Sequence, residues 1–416
     1  MSSVTPNQLE HVPASPVASP VVSPVVFPVL DTLRAVGALA VLTTHVAFQS
    51  GDYVRHGIVG SLLSRLDVGV AIFFVLSGFL LSRPYLARAL VGERHPPTGR
   101  FYWKRFVRIF PVYLVTVVIA SVVLRENDLG GDALGWLRAL TLTDVFFTPQ
   151  LPQGLTQMWS LSVEVTFYLL LPPLMAALVG RGAALRPRRV IALLGVGAVF
   201  SCWWNLSLAG LAEQLTSGTP LLWLPAHLTW FLVGIALALT QVMHDAGSNA
   251  WLVHWLRALA QLPGVCWTIA VSLLLVAATP LGGPVLLLVA TPTQSLVKHL
   301  TFAAAAGLIV LTGIFAASNS RYAGAMSAQW LRHLGHISFS TFCIHLVVLH
   351  LVRGFVGHEL FSGSGLQLWV LTVGLSLVAS EVLYRLVERP GLRLKGLRSE
   401  KSRGRAHSAA SATTTK

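Results

Sequence analysis

Apolar residues dominate this chain in long runs, each broken by a short polar stretch. A membrane-spanning helix takes about 20 mostly apolar residues. Ten runs approach or reach that length: residues 29–48, 66–82, 106–124, 159–179, 190–209, 221–241, 263–279, 299–317, 334–353 and 367–388. The pattern predicts an all-α, polytopic membrane protein with about ten transmembrane helices. After the seventh run comes "TPLGGPVLLLVATPTQ". Its apolar piece is too short to span, so a loop or re-entrant segment is expected. No internal repeat is visible, and the inverted-repeat pattern of many secondary transporters is not seen.

Composition supports the same class. Of 416 residues, 54% are hydrophobic and 11% charged, with a mean hydropathy of +0.69. Soluble domains carry about 25% charged residues. The net charge of +14 would suit a nucleic-acid partner if the basic residues gathered on a soluble face. They lie between the apolar runs instead, which argues against nucleic acid and follows the positive-inside rule. Arg83, Arg88, Arg94, Arg100, Lys104 and Arg105 separate runs two and three. Arg181, Arg186, Arg188 and Arg189 separate runs four and five. On the other side, Arg55, Arg65, Arg125, Arg138, Lys298 and Arg353 are diluted by Asp52, Asp67, Glu126, Asp128, Asp132 and Asp144. This bias and the even number of spans both predict cytoplasmic termini. Residues 1–28 are Pro-rich and are expected to be a disordered leader. Residues 29–390 form the expected transmembrane domain, and 391–416 a basic, disordered cytoplasmic tail. Cys202, Cys266 and Cys343 lie in apolar surroundings and read as small buried hydrophobes.

Polar side chains inside the runs carry the candidate chemistry. Arg34 and His45, in "LDTLRAVGALAVLTTH", are eleven residues apart and share a helix face. They read either as the lining of an internal polar cavity, or as a snorkelling Arg and a His satisfied by a neighbour. Ser77 and Gly78 permit close helix packing or admit a substrate chain. Arg105 and Arg108, at i and i+3 beside Lys104, form a phosphate clamp or ordinary basic flanking. Glu164 lies in a spanning helix, with Ser160 one turn back and Tyr168 one turn on. An intramembrane carboxylate is a functional candidate and needs a partner, with His45 or an Arg expected. Glu381, Arg385 and Glu388 fall on one helical face and read as a structural, self-neutralising group. His333, His336, His345 and His350 read as boundary histidines rather than metal ligands. No metal site is expected.

Six motifs, in order over about residues 30–390, resemble the acyltransferase-3 family of membrane-bound bacterial O-acyltransferases. They are Arg34-x10-His45, "FFVLSG" (73–78), Arg105-x2-Arg108, "WSLSVEVTFY" (159–168), "LGHISFSTFCIH" (334–345) and "LYRLVERP" (383–390). The resemblance implies transfer of an acyl group, acetyl or another short chain, from acyl-CoA on the cytoplasmic side to an acceptor hydroxyl. It makes His45 and Glu164 the catalytic pair. The family's paired arginines map to Arg105 and Arg108, which with Arg34 are expected to bind the donor; on the mechanism this suggests, the acyl chain extends beside Ser77 and Gly78, and Trp159, Ser160 and Tyr168 are expected to support the site. Acyl-CoA is a co-substrate, and no bound cofactor is expected. Some relatives carry a fused SGNH-type domain; a stand-alone member is expected here. His45 would act as general base, with Glu164 orienting its ring. The expected acceptor is a hydroxyl of a cell-envelope glycan, a glycolipid or a macrolide-like metabolite. The expected location is the bacterial plasma (inner) membrane. The alternative is a transporter or flippase of an acylated or lipid-linked substrate, with the same polar residues forming a relay.

Overall fold

The computed structural model describes residues 26–124, 133–180, 184–285, 289–317 and 319–394. Most of the expected leader and tail lies outside these residues, as do Arg125, Glu126, Asp128, Asp132 and Arg181.

The longer helices are α1 (Pro28–Ser50), α2 (Val68–Leu90), α3 (Thr98–Val123), α4 (Met158–Val179), α5 (Pro187–Trp203) and α6 (Leu224–Asp245). They continue with α7 (Trp251–Ala260), α8 (Pro263–Ala277), α9 (Pro292–Ile314), α10 (Gln329–Val356) and α11 (Gly365–Leu383). No strand occurs among the described residues. Nine helical stretches there are long and apolar enough to cross a membrane, or ten if the bent α7–α8 pair is one span. The ten apolar runs thus correspond to helices.

Local chemistry sets several ends. Pro28 opens α1, where a missing N–H costs nothing. Gly51 closes it in the left-handed region at φ 80°, returning its N–H to the carbonyls of Ala47 and Phe48. Thr291 and Gln294 form a capping box at the start of α9.

The seventh run departs from a simple span. α8 has 15 residues, about 22 Å of helix against a hydrocarbon core near 30 Å. α7 precedes it at a 90° bend. Arg65, counted in the sequence as a loop charge, is buried at this seam. Its guanidinium donates to the carbonyls of Ala277 (2.8 Å) and Gly283 (2.6 Å). The charge therefore ties the chain after α8 to the segment leading into α2.

The centre of the bundle is α1, α2, α6 and α10, with α2 packed along α6 and α1 along α10. α5 and α11 lie at the periphery and leave Val196, Val199, Leu375 and Val378 uncovered. Such a display suits lipid contact. α11 runs into a π-helical turn at Tyr384–Glu388. The extra residue changes the phase of the helix. Glu388 is buried at 1% exposure while Arg385 stays outside. The expected common face of Glu381, Arg385 and Glu388 is therefore split: Arg385 and His333 pair with Glu381 (2.5 and 2.8 Å), and Glu388 turns inward.

Candidate active site

Helices α1, α2, α3, α4 and α10 enclose a cavity of about 100 Å³. Seven side chains singled out in the sequence line it: Arg34, Ser77, Arg105, Arg108, Ser160, Glu164 and Tyr168. Phe73, Phe74 and Phe342 supply part of its apolar wall.

Glu164 is the polar hub. Ser77 donates its hydroxyl to Glu164 Oε1, and Tyr168 donates to the same oxygen at 2.5 Å. Ser160 points its hydroxyl back to the Gln157 carbonyl at 3.1 Å. The guanidinium of Arg105 lies over the Tyr168 ring, 5.7 Å from its centroid. A cation over an aromatic face is attracted by the ring quadrupole.

The three arginines are held differently. Arg34 pairs with Asp31 at 3.2 Å, and Asp31 also meets Arg332 at 3.4 Å and His336 at 3.7 Å. Arg108 pairs with the buried Glu388 at 2.5 Å, whose second oxygen accepts from Ser340 at 2.7 Å. Among the described residues, no carboxylate pairs with Arg105, and its Nε is buried without a partner. Three cations on one small cavity repel one another. Asp31 and Glu388 offset that repulsion at two of them, so Arg105 keeps donors for an incoming anion.

Three expected site residues fall elsewhere. Gly78 lies at the α2–α6 crossing. A Cβ there would run into the Phe231 carbonyl group, and one at Gly234 would come within 2.7 Å of the Phe79 nitrogen. Gly78 therefore lets two backbones touch, which corrects its expected donor-binding role. Trp159 turns from the cavity and packs on the His227 ring, centroids 4.9 Å apart. His45 is absent from the cavity wall.

His45 meets a second histidine instead of Glu164. His345 Nε2 lies 3.2 Å from His45 Nδ1. The ring of His345 is 1% exposed, so its expected boundary position is corrected to the interior. Its Nδ1 faces the carbonyls of Phe342 (2.8 Å) and Thr341 (3.2 Å). A carbonyl only accepts, so Nδ1 carries the proton and Nε2 presents a lone pair. His45 Nδ1–H is then shared between His345 Nε2 and the Val41 carbonyl at 2.8 Å. That tautomer leaves His45 Nε2 unprotonated, as a base requires. The expected Glu164–His45 partnership is not formed, because Glu164 is engaged by Ser77 and Tyr168.

The histidine pair and the cavity are joined through one ring. Phe342 lines the cavity, packs edge-on against Phe73 (6.1 Å) and has its centroid 6.0 Å from that of His345. His333 and His336 pair with Glu381 and Asp31 while remaining about half exposed. Sequence reasoning missed His345, Glu388 and Asp31 as partners of the site. For His345 a signal was present: it interrupts an apolar run as His45 does.

Comparison with known proteins adds the family. Residues 27–385 match the acyltransferase-3 family model, described as an acyltransferase domain. Acyltransferase MdmB of Streptomyces mycarofaciens is 29% identical over 409 residues, covering 89% of this chain and 92% of its own. Peptidoglycan O-acetyltransferase OatA of Listeria monocytogenes is 29% identical over 191 residues, covering 42% of this chain and 28% of its own. Nodulation protein 10 of Rhizobium leguminosarum bv. viciae is 27% identical over 286 residues, covering 55% and 73%. No solved structure matches the chain. The family match spans the helices that build the cavity and the histidine pair, and the chain belongs to the acyltransferase-3 family of multi-span membrane enzymes that transfer acyl groups.

Proposed function

We propose that the protein transfers a short acyl group from acyl-CoA to a hydroxyl of a carbohydrate-containing acceptor. The observation that carries this reading is the convergence of Arg34, Arg105 and Arg108 on one cavity with Ser77, Glu164 and Tyr168. CoA is a polyanion, and guanidinium groups bind phosphate bidentately. The thioester end then enters the cavity, whose volume of about 100 Å³ suits a short acyl group. A glycan acceptor accords with the name of the Listeria relative, a peptidoglycan O-acetyltransferase.

His45 acts as the base. Its Nε2 takes the proton of the acceptor hydroxyl, and the oxygen attacks the thioester carbon. The tetrahedral intermediate collapses by breaking the carbon–sulfur bond. The proton on His45 then passes to the departing thiolate, giving an ester and free CoA. His345 positions His45 by accepting its Nδ1–H, the part a carboxylate plays in other triads. Phe342 moves aside for the acyl carbon to reach His45. In this reading the Arg105 end of the bundle faces the cytoplasm of a bacterial plasma membrane, and the acceptor reaches His45 from the other end.

The test is thiol release from acetyl-, propionyl- and longer acyl-CoA, with glycan, glycolipid and macrolide acceptors. Acceptor-dependent release with wild type, lost in a correctly inserted His45→Ala variant, is expected. Wild-type rates from that variant would overturn the base assignment.

A further inference from the structure

A second cavity, of about 580 Å³, opens beside the N-terminus of α3. Its wall includes Tyr85, Arg94, His95, Pro97, Tyr102 and Pro173. Three features there call for a ligand. α3 has 26 residues and starts from Pro97 without a side-chain cap. Its first backbone bond runs from Phe101 N–H to the Pro97 carbonyl at 3.0 Å, so the N–H groups of Thr98, Gly99 and Arg100 are left for an outside acceptor. Tyr85 is 2% exposed, yet its hydroxyl has no hydrogen-bond partner, and His95 Nε2 is also buried without one. Buried polar atoms are rarely left unpaired.

The third feature is charge. Among the described residues, the guanidinium of Arg94 has no hydrogen-bond or carboxylate partner, and Arg100 and Lys104 follow on α3. Glu93, the nearby acid, is taken by Arg88 at 3.9 Å. A helix N-terminus next to a free Arg is a phosphate site. The Tyr102 ring and the proline faces offer a flat apolar surface for a base, and Tyr85 and His95 offer polar groups for its edge.

We infer that this cavity binds the adenosine 3′,5′-bisphosphate end of CoA, an inference that rests on the acyl-CoA reading above. The geometry of α3 connects the two cavities. From Thr98 to Arg105 is seven residues, about 10 Å along the axis. The pantetheine arm has about as many backbone atoms as four extended residues, about 14 Å of reach. The nucleotide sits at the start of α3, the outer phosphate of the diphosphate faces the arginines of the first cavity, and the arm runs on to place the thioester beside Ser77. An anionic lipid headgroup shares the phosphate chemistry, and the test separates the two.

The full-length protein in phosphatidylcholine nanodiscs is titrated calorimetrically with adenosine 3′,5′-bisphosphate. Saturable binding is expected, weakened about tenfold in Arg94→Ala through loss of one charged contact and several-fold in Tyr85→Phe. Kinetically, Arg94→Ala raises KM for acetyl-CoA about tenfold and leaves KM for acetyl-pantetheine, which lacks the nucleotide, unchanged. No nucleotide binding by wild type, equal effects of Arg94→Ala on both donors, or displacement of the nucleotide by phosphatidylglycerol each overturns the inference. Nucleotide binding without thiol release from acetyl-CoA would overturn the donor reading and leave the nucleotide site standing.

Discussion

His345 Nε2 stands 3.2 Å from His45 Nδ1, bringing together two imidazoles 300 residues apart in the chain. The carbonyls of Phe342 and Thr341 fix which nitrogen of His345 is free. Removing that acceptor leaves His45 able to turn or to change tautomer. His345→Leu is expected to lower kcat roughly 10²-fold, within the usual range for acid–base assistance, with little change in KM for the donor. His345→Gln, whose amide oxygen accepts the same hydrogen bond, retains more activity than the Leu variant. Thiol-release kinetics on both variants provide the check, and equal losses in kcat would remove the positioning role.

Arg108 has two possible duties, one toward a donor phosphate and one toward Glu388. The structure shows the second directly, at 2.5 Å with Glu388 at 1% exposure. Arg108→Gln leaves a buried carboxylate unpaired and is expected to cost about 3–5 kcal/mol. The double substitution Arg108→Met with Glu388→Leu restores most of the stability, because no charge is left buried. Thermal unfolding in detergent measures this. If KM for acyl-CoA stays high in the stable double variant, the donor role is separate from the structural one.

Neighbouring residues 77 and 78 are expected to fail in different ways. Gly78→Leu pushes α2 from α6 at their closest approach and lowers stability by roughly 1–3 kcal/mol, the usual cost of overpacking. Ser77→Ala leaves the crossing intact and removes one donor to Glu164. It is expected to leave the unfolding temperature nearly unchanged and to alter the rate. The reverse pattern would show that the cavity has been placed on the wrong side of α2.

Asp144 lies in a short helix outside the spans. Burial pushes its carboxyl from 3.8 up to about 6, against the opposing pull of Arg138. The folded protein holds this proton more tightly than the unfolded chain does. The associated stability is therefore present below about pH 4 and lost as pH rises through about 6. Asp144→Asn removes that loss. The variant is expected to match wild type near pH 4 and to exceed it above pH 6 by roughly 1 kcal/mol, after discounting for solvent contact. Unfolding followed by tryptophan fluorescence at both pH values tests the sign.

Much of the architecture was legible because lipid imposes a strict rule. A spanning backbone has to satisfy its own hydrogen bonds, so apolar runs become helices. Arg34, Arg105, Arg108, Ser77, Ser160, Glu164 and Tyr168 were legible for the related reason that polar side chains at membrane depth need one another. Which of them meet was not legible. His45 could have taken Glu164, but the packing of α1 on α10 brings His345 to it instead. Gly78 was ambiguous because one residue type serves both a packing contact and a binding site. Glu388 was hidden by the assumption of 3.6 residues per turn, which the π-helical turn at Tyr384–Glu388 violates.

That turn makes length, and not only composition, a variable of the site. One residue more or fewer rotates everything beyond it by about 100°. Deleting a single residue ahead of Glu388 would keep every ionisable group in the chain, yet swing the carboxylate toward lipid and out of reach of Arg108. A one-residue deletion here should therefore act as a charge removal. Between homologues, a gap at this point would shift the partner of Arg108 without any visible change in the charged residues themselves.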